Sequence, residues 1–136
     1  MKRIFALTLI LAVIIMTFSG CGKDKGDQTS LSLEKDGIVN IKVSSFPGEY
    51  NHSFSEDDAD IIVDYLSGLK LISDFAEDPD VYAGMTWEIS IEYENGDIVT
   101  VYYFGNMFIR TDSGPWYKMN YDEAKRFDTF LYELGE

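Results

Sequence analysis

The stretch Trp87-Glu88-Ile89-Ser90-Ile91-Glu92-Tyr93-Glu94-Asn95-Gly96-Asp97-Ile98-Val99-Thr100-Val101-Tyr102-Tyr103-Phe104 decides the fold. Its first half alternates strictly between apolar and polar residues, the period of a half-buried strand. Asn95-Gly96 follows, the strongest short hairpin signal, and a β-branched and aromatic run returns after it. A two-residue loop pairs Tyr93 with Ile98, Ile91 with Thr100, Ile89 with Tyr102 and Trp87 with Phe104. That face is expected in the core. The other face sets Glu88, Ser90, Glu92 and Glu94 against Tyr103, Val101, Val99 and Asp97. Half acidic and half apolar, it suits partial cover or contact with a partner.

Downstream, Gly105-Asn106 makes a turn, and Met107–Arg110 and Trp116–Met119 read as two more short strands around Asp112-Ser113-Gly114-Pro115. Asn120 is expected to cap a final helix, with Glu123 completing a capping box. Ala124, Phe127, Leu131 and Leu134 form its apolar stripe, and Gly135 stops it. Upstream, Ile38–Val43 alternates as a strand, with Val39, Ile41 and Val43 expected inward. Pro47-Gly48 turns the chain, and Tyr50 to Phe54 returns as a short strand. Ser55 is expected to cap a helix whose first turn carries Glu56, Asp57 and Asp58, where the helix dipole favours acids. Ile62, Leu66 and Leu69 recur at helical spacing, and Gly68 lies near the helix end. Residues 71–82 are expected to form an acidic loop whose apolar members, Leu71, Ile72, Phe75 and Val81, are expected to pack against the sheet. The expected fold class is α+β: an antiparallel meander sheet with two helices on one face, in the order β-β-α-β-β-β-β-α.

The N-terminus carries a different message. Met1-Lys2-Arg3 is positive, residues 4–16 are apolar, and Thr17-Phe18-Ser19-Gly20-Cys21 brings small residues before a cysteine. That layout is a secretory signal peptide. The apolar run is short for a membrane span, which needs about 20 residues. Ser19-Gly20-Cys21 resembles the lipobox of bacterial lipoproteins, with Phe18 where that pattern has an aliphatic residue. The resemblance covers residues 1–21 and implies a diacylglyceryl thioether on Cys21 and cleavage before it. The remainder is similar in layout to small uncharacterised α+β lipoproteins. Each buried CH₂ contributes about 0.8 kcal/mol, so the two or three chains that the resemblance implies give a lasting hold. The expected organisation is a signal peptide over 1–20, a lipidated Cys21 and polar spacer over 21–32, and one α+β domain over 33–136. The expected location is extracytoplasmic, on the outer face of a bacterial membrane.

Cys21 is the only cysteine in the chain. Once it is lipidated, no thiol is left for a disulfide, a nucleophile or a metal ligand. The chain has 11 Lys+Arg and 24 Asp+Glu. The full chain carries a net charge of −13, and the expected removal of residues 1–20 takes Lys2 and Arg3 with it, leaving nine basic residues against 24 acidic ones, a net charge of −15 for the processed form. Such a balance argues against nucleic-acid partners, whose binders neutralise phosphates with basic patches. It also argues against lying flat on an anionic membrane.

The candidate chemistry is sparse. His52 is the sole histidine, which gives poor material for a zinc site or a catalytic dyad. No Gly-x-Ser-x-Gly elbow is present. Asp74, Glu77, Asp78 and Asp80 form an acidic loop of the kind that offers oxygen ligands to calcium, without the EF-hand spacing. Glu56, Asp57, Asp58 and Asp60 are accounted for by the helix start. Trp116-Tyr117, beside a turn, is an aromatic pair of the type enriched at binding hot spots.

The sequence therefore points to a non-catalytic interaction module without a cofactor. It is expected to be tethered to the membrane through Cys21 and to face an envelope protein partner. The candidate contact residues are Val99, Val101, Tyr103, Trp116 and Tyr117. A small-ligand or calcium-binding protein using Asp74, Glu77, Asp78 and Asp80 is the second expectation, and a carboxylate-based envelope enzyme the third.

Overall fold

The computed structural model describes residues 27–134. Cys21, the lipobox and Gly135 lie outside the described residues. Eight strands form one antiparallel sheet: β1 (Gln28–Thr29), β2 (Ile38–Phe46), β3 (Asn51–Phe54), β4 (Leu71–Ile72), β5 (Thr86–Tyr93), β6 (Ile98–Phe104), β7 (Phe108–Thr111) and β8 (Tyr117–Met119). Two helices complete the domain, α1 (Glu56–Ser67) and α2 (Tyr121–Glu133). The strand order is β1-β4-β8-β7-β6-β5-β2-β3. The α+β class and the order β-β-α-β-β-β-β-α are as the sequence reading has them, with the two-residue strands β1 and β4 added at one edge.

β1 lies in the expected spacer. Gln28 and Thr29 pair with Ile72 and Leu71, and Leu31 is buried in the core. The ordered domain thus includes Gln28, five residues before residue 33. An apolar side chain at position 31, with the edge of β4 free to take two more residues, outweighs the polar composition around it.

Both helices cover one face of the sheet. From α1, Ala59, Ile62, Val63 and Leu66 are buried, and from α2, Ala124, Phe127 and Leu131. They meet Ile41, Val43, Ile89, Ile91, Val101, Tyr103 and Ile109 in one core. Tyr65 of α1 stacks on Phe130 of α2 with ring centroids 3.9 Å apart, which locks the helices side by side. At α2, Asn120 Oδ1 accepts the Glu123 N–H at 2.8 Å as expected. The Glu123 carboxylate does not close the capping box. It accepts the Lys70 N–H at 3.2 Å and pairs with Arg126, tying α2 to the strand entry instead. Ser55 occupies the cap position of α1 without a side-chain cap bond. Among the described residues no helix is long and apolar enough to cross a membrane.

Two registers differ from the sequence reading. In β2, Ile38 faces Tyr93 and Asn40 faces Glu92, with a bulge between them. The extra residue turns Ile38 into the core and leaves Val39, expected inward, 43% exposed. In the β5–β6 hairpin the loop has three residues, not two. The Gly96 N–H donates to the Tyr93 carbonyl at 2.8 Å, and the Tyr93 N–H to the Asp97 carbonyl at 2.9 Å. Gly96 takes φ +87°, the left-handed position that ends such a loop and favours glycine. Asn95 Oδ1 accepts the Asp97 N–H at 2.9 Å and sets the turn. Ile89 therefore opposes Val101, Ile91 opposes Val99, and Trp87 opposes Tyr103. A one-residue slip moves every β6 side chain to the other face.

Candidate ligand-binding face

That slip relocates the candidate contact residues. Val101 and Tyr103, expected on the outer face, are fully buried beneath the helices. Val99 is partly buried and packs on the same core. Tyr117, opposite Ile109, also packs against the core, so the pair Trp116-Tyr117 is split between faces. Of the five expected contact residues only Trp116 belongs to the face without helices. There it meets residues that the sequence reading placed inward or left unremarked: Tyr102, Phe104 and Arg110.

The helix-free face is built by register. Across it, Ser44 stands opposite Glu88, Glu88 opposite Tyr102, and Tyr102 opposite Arg110. The neighbouring row sets Lys42 against Ser90 and Ser90 against Thr100. The segment between β4 and β5 folds over the β7 end of this face. Phe75 and Tyr82 lie against Phe108, with centroids 5.7 and 5.3 Å away, and Phe108 is fully buried between them and the sheet. Val81, expected to pack there, is 75% exposed. Aromatic cover thus ends near Phe108, and the rows through Tyr102 and Thr100 are left uncovered.

Arg110 is the distinctive group of this face. Its guanidinium carbon lies 4.4 Å from the centre of the Trp116 ring and 5.4 Å from that of Tyr102. Cation–π attraction of this kind contributes about 0.5–2 kcal/mol according to exposure. Trp116 is held in turn by Phe104, at 6.3 Å. The buried Nε of Arg110 has no acceptor among the described residues. No carboxylate pairs with Arg110 there, although 22 acidic residues fall between positions 27 and 134. Asp112, two residues along, is engaged elsewhere and accepts the Thr100 N–H at 2.9 Å.

The acidic loop is not assembled for a cation. Glu77 pairs with Lys118, whose ammonium holds the Glu77 carboxyl below its usual range. Asp78 Oδ1 accepts the Asp80 N–H at 3.0 Å and caps a single 3₁₀ turn, Pro79–Val81. Asp74, Glu77, Asp78 and Asp80 do not converge, and no three His, Cys, Asp or Glu side chains among the described residues do so. His52 is exposed on edge strand β3, its ring 4.8 Å from that of Tyr50.

A second polar feature sits on the helix side. The Tyr103 hydroxyl donates to Asp128 Oδ1 at 2.7 Å. Asp128 and Tyr132 border a cleft of about 260 Å³ with Gly84, Met85, Gly105 and Asn106. Burial, and then the bond to Asp128, push the Tyr103 hydroxyl far above its ordinary value of 10.0. Tyr50, Tyr65 and Tyr93 are raised as well, chiefly by burial. A phenol with a raised folded-state pKa contributes stability that is present below the unfolded value, about 10, and lost as pH rises beyond it. The unfolding midpoint in urea is therefore expected to fall steeply above about pH 10. Tyr103→Phe should be less stable at neutral pH, through loss of the bond to Asp128, and show a flatter alkaline decline. Parallel declines of the two proteins would exclude Tyr103 as a contributor.

Comparison of the chain with protein-family models, with curated proteins and with solved structures gave no match. The sequence and the geometry carry the functional reading.

Proposed function

We propose that the protein is an extracytoplasmic lipoprotein, tethered by a lipid on Cys21, that acts as a non-catalytic binding module through the helix-free face of its sheet. The observation that carries the reading of the face is its composition. An arginine lying over two aromatic rings shares the face with two cross-strand rows, one with Ser44 and Glu88 and the other with Lys42, Ser90 and Thr100, all on rigid strands. Tyr, Trp and Arg are the residues that most often dominate binding energy. Placement on strands fixes their positions better than loops do. The anchor rests on the charged start, the apolar run and Ser19-Gly20-Cys21. The partner that fits this reading is an envelope protein within reach of the tether.

The test is photo-crosslinking in cells, with a crosslinking residue at Thr100 on the helix-free face or at Ile61 on the exposed side of α1. A discrete adduct from position 100, absent from position 61 and lost in Cys21→Ser, is the expected result. The same Cys21→Ser change should abolish incorporation of labelled fatty acid. Equal adducts from both positions, or lipid labelling that survives Cys21→Ser, would remove the face or the anchor respectively.

A further inference from the structure

We propose that Arg110, clamped between Tyr102 and Trp116, is the anion-binding group of a subsite for a single carboxylate carried by a peptide. This rests on the reading of the helix-free face as the binding surface, and it specifies the chemistry that the face accepts.

The argument begins with how an arginine is spent. Seven basic residues lie between positions 27 and 134, and Lys35, Lys118 and Arg126 each pair with a carboxylate. The guanidinium carbon of Arg110 instead lies over the Trp116 and Tyr102 rings, 4.4 and 5.4 Å from their centroids. Its donors are left unused: Nε is buried without an acceptor, and neither terminal nitrogen bonds to a described residue. Arg110 as a whole is half-buried. A guanidinium fixed by stacking with its N–H fork unspent is preorganised for a planar oxyanion, because two parallel N–H···O bonds match a carboxylate. A lysine cannot supply that fork.

The neighbours select among anions. Glu88 stands directly opposite Tyr102, and Glu92 lies four residues further along the same strand and face, opposite Ile98. Residues facing each other across a pair of strands sit with Cβ atoms about 5 Å apart. The chain is also acidic as a whole, with 24 Asp+Glu against 11 Lys+Arg. A dianion such as phosphate meets this field twice over, whereas a carboxylate brings one charge and an apolar stem for the aromatic rings. The surroundings also select for a carboxylate on a longer chain. Small-molecule sites are concave and enclose most of their ligand. The cleft of Glu34, Asp36 and Tyr93 and that of Gly84 and Asp128 do not include Arg110. On a broad face, a carboxylate gains affinity when the rest of its chain lies along the row of Lys42, Ser90 and Thr100.

The chain has three arginines, Arg3, Arg110 and Arg126, so selective nitrogen labelling of arginine in the full chain gives a spectrum simple enough to assign. The probes are a capped peptide with one glutamate between two aromatic residues, the same peptide with glutamine, free acetate and inorganic phosphate. The expected result is a saturable shift of the Arg110 Nε–H by the glutamate peptide, with binding about tenfold or more weaker for the glutamine peptide. Arg110→Lys should bring the two peptides to similar weak binding. Equal affinity for both peptides in the unaltered protein, or binding that leaves the Arg110 signal unmoved, would overturn the proposal. Acetate binding as tightly as the peptide would overturn the peptide-borne source, and tighter phosphate binding would overturn the choice of carboxylate. Failure here with crosslinking from position 100 intact would leave the binding face standing and remove only its chemistry.

Discussion

Phe127→Ala is expected to destabilise the domain by about 3–5 kcal/mol, the range for deleting a fully buried aromatic ring. Phe127 is fully buried. Its ring lies 4.8 Å from that of Tyr103 on the sheet, 5.8 Å from Tyr65 on α1 and 6.4 Å from Phe130 on its own helix. It is the point where both helices and the central strand β6 meet. Alanine leaves a cavity that three aromatic rings on rigid elements cannot collapse to fill, so the loss of dispersion contacts adds to the lost burial. A domain of this size has about 5–15 kcal/mol of stability in total, so the variant should unfold at far lower urea and be partly unfolded at growth temperature. Equilibrium urea unfolding followed by far-UV circular dichroism measures this. A loss below about 1 kcal/mol would mean that Phe127 is not packed as described.

The second large effect separates two registers of the same hairpin. Val101→Lys is expected to prevent folding or to cost several kcal/mol, because it places an unpaired ammonium beneath the helices where Val101 is fully buried. Ile98→Lys, three residues earlier on the same strand, should be within about 0.5 kcal/mol of the unaltered protein or slightly stabilising. Ile98 is 60% exposed and faces Glu92 across the strand pair, where a cation is favourable. With a two-residue loop the outcome would reverse at position 101, because Val101 would then lie among Glu88, Glu92 and solvent. Thermal melts of the two variants suffice. A soluble, cooperatively folded Val101→Lys protein of near-normal stability would refute the three-residue loop.

The hairpin also marks where the sequence was legible and where it was not. Strands, helices and their order follow from period: Trp87, Ile89, Ile91 and Tyr93 alternate, and Ile62, Leu66, Phe127 and Leu131 recur along helical stripes, and all are buried. Register does not follow from period on β6, because Val99, Val101 and Tyr103 on one face and Ile98, Tyr102 and Phe104 on the other are all apolar or aromatic. With two apolar faces, the turn alone decides, and Asn95-Gly96 fits a two-residue loop as well as a three-residue one. The bulge at Val39 has the same origin, since Ile38 and Val39 are equally suited to the core. Arg110 was not recognisable as a binding candidate because nothing local distinguishes it. Its partners Tyr102 and Trp116 come from two other segments, and only the sheet brings the three together. The acidic loop misled in the opposite direction. Its carboxylates share a composition suited to calcium, while Glu77 and Asp78 are individually occupied by Lys118 and the Asp80 N–H.

The two-residue strand β1 sets the working radius of the protein. With the proposed lipid on Cys21, seven Cα-to-Cα steps separate the anchor from Gln28, a leash of at most about 25 Å. Gln28 is pinned to Ile72 at one margin of the sheet, so the leash cannot lengthen without peeling β1 away. Strands are spaced about 4.8 Å apart, which makes eight of them about 34 Å across. Arg110 on β7 lies three strands in from the pinned margin, while β3 is at the far one. The stacked arginine is thus confined to a shell within about 40 Å of the anchor, and β3 sweeps the outermost zone. On the proposed anchor and subsite, a carrier of the complementary carboxylate would have to come that close to the bilayer, as a neighbour anchored in the same membrane does.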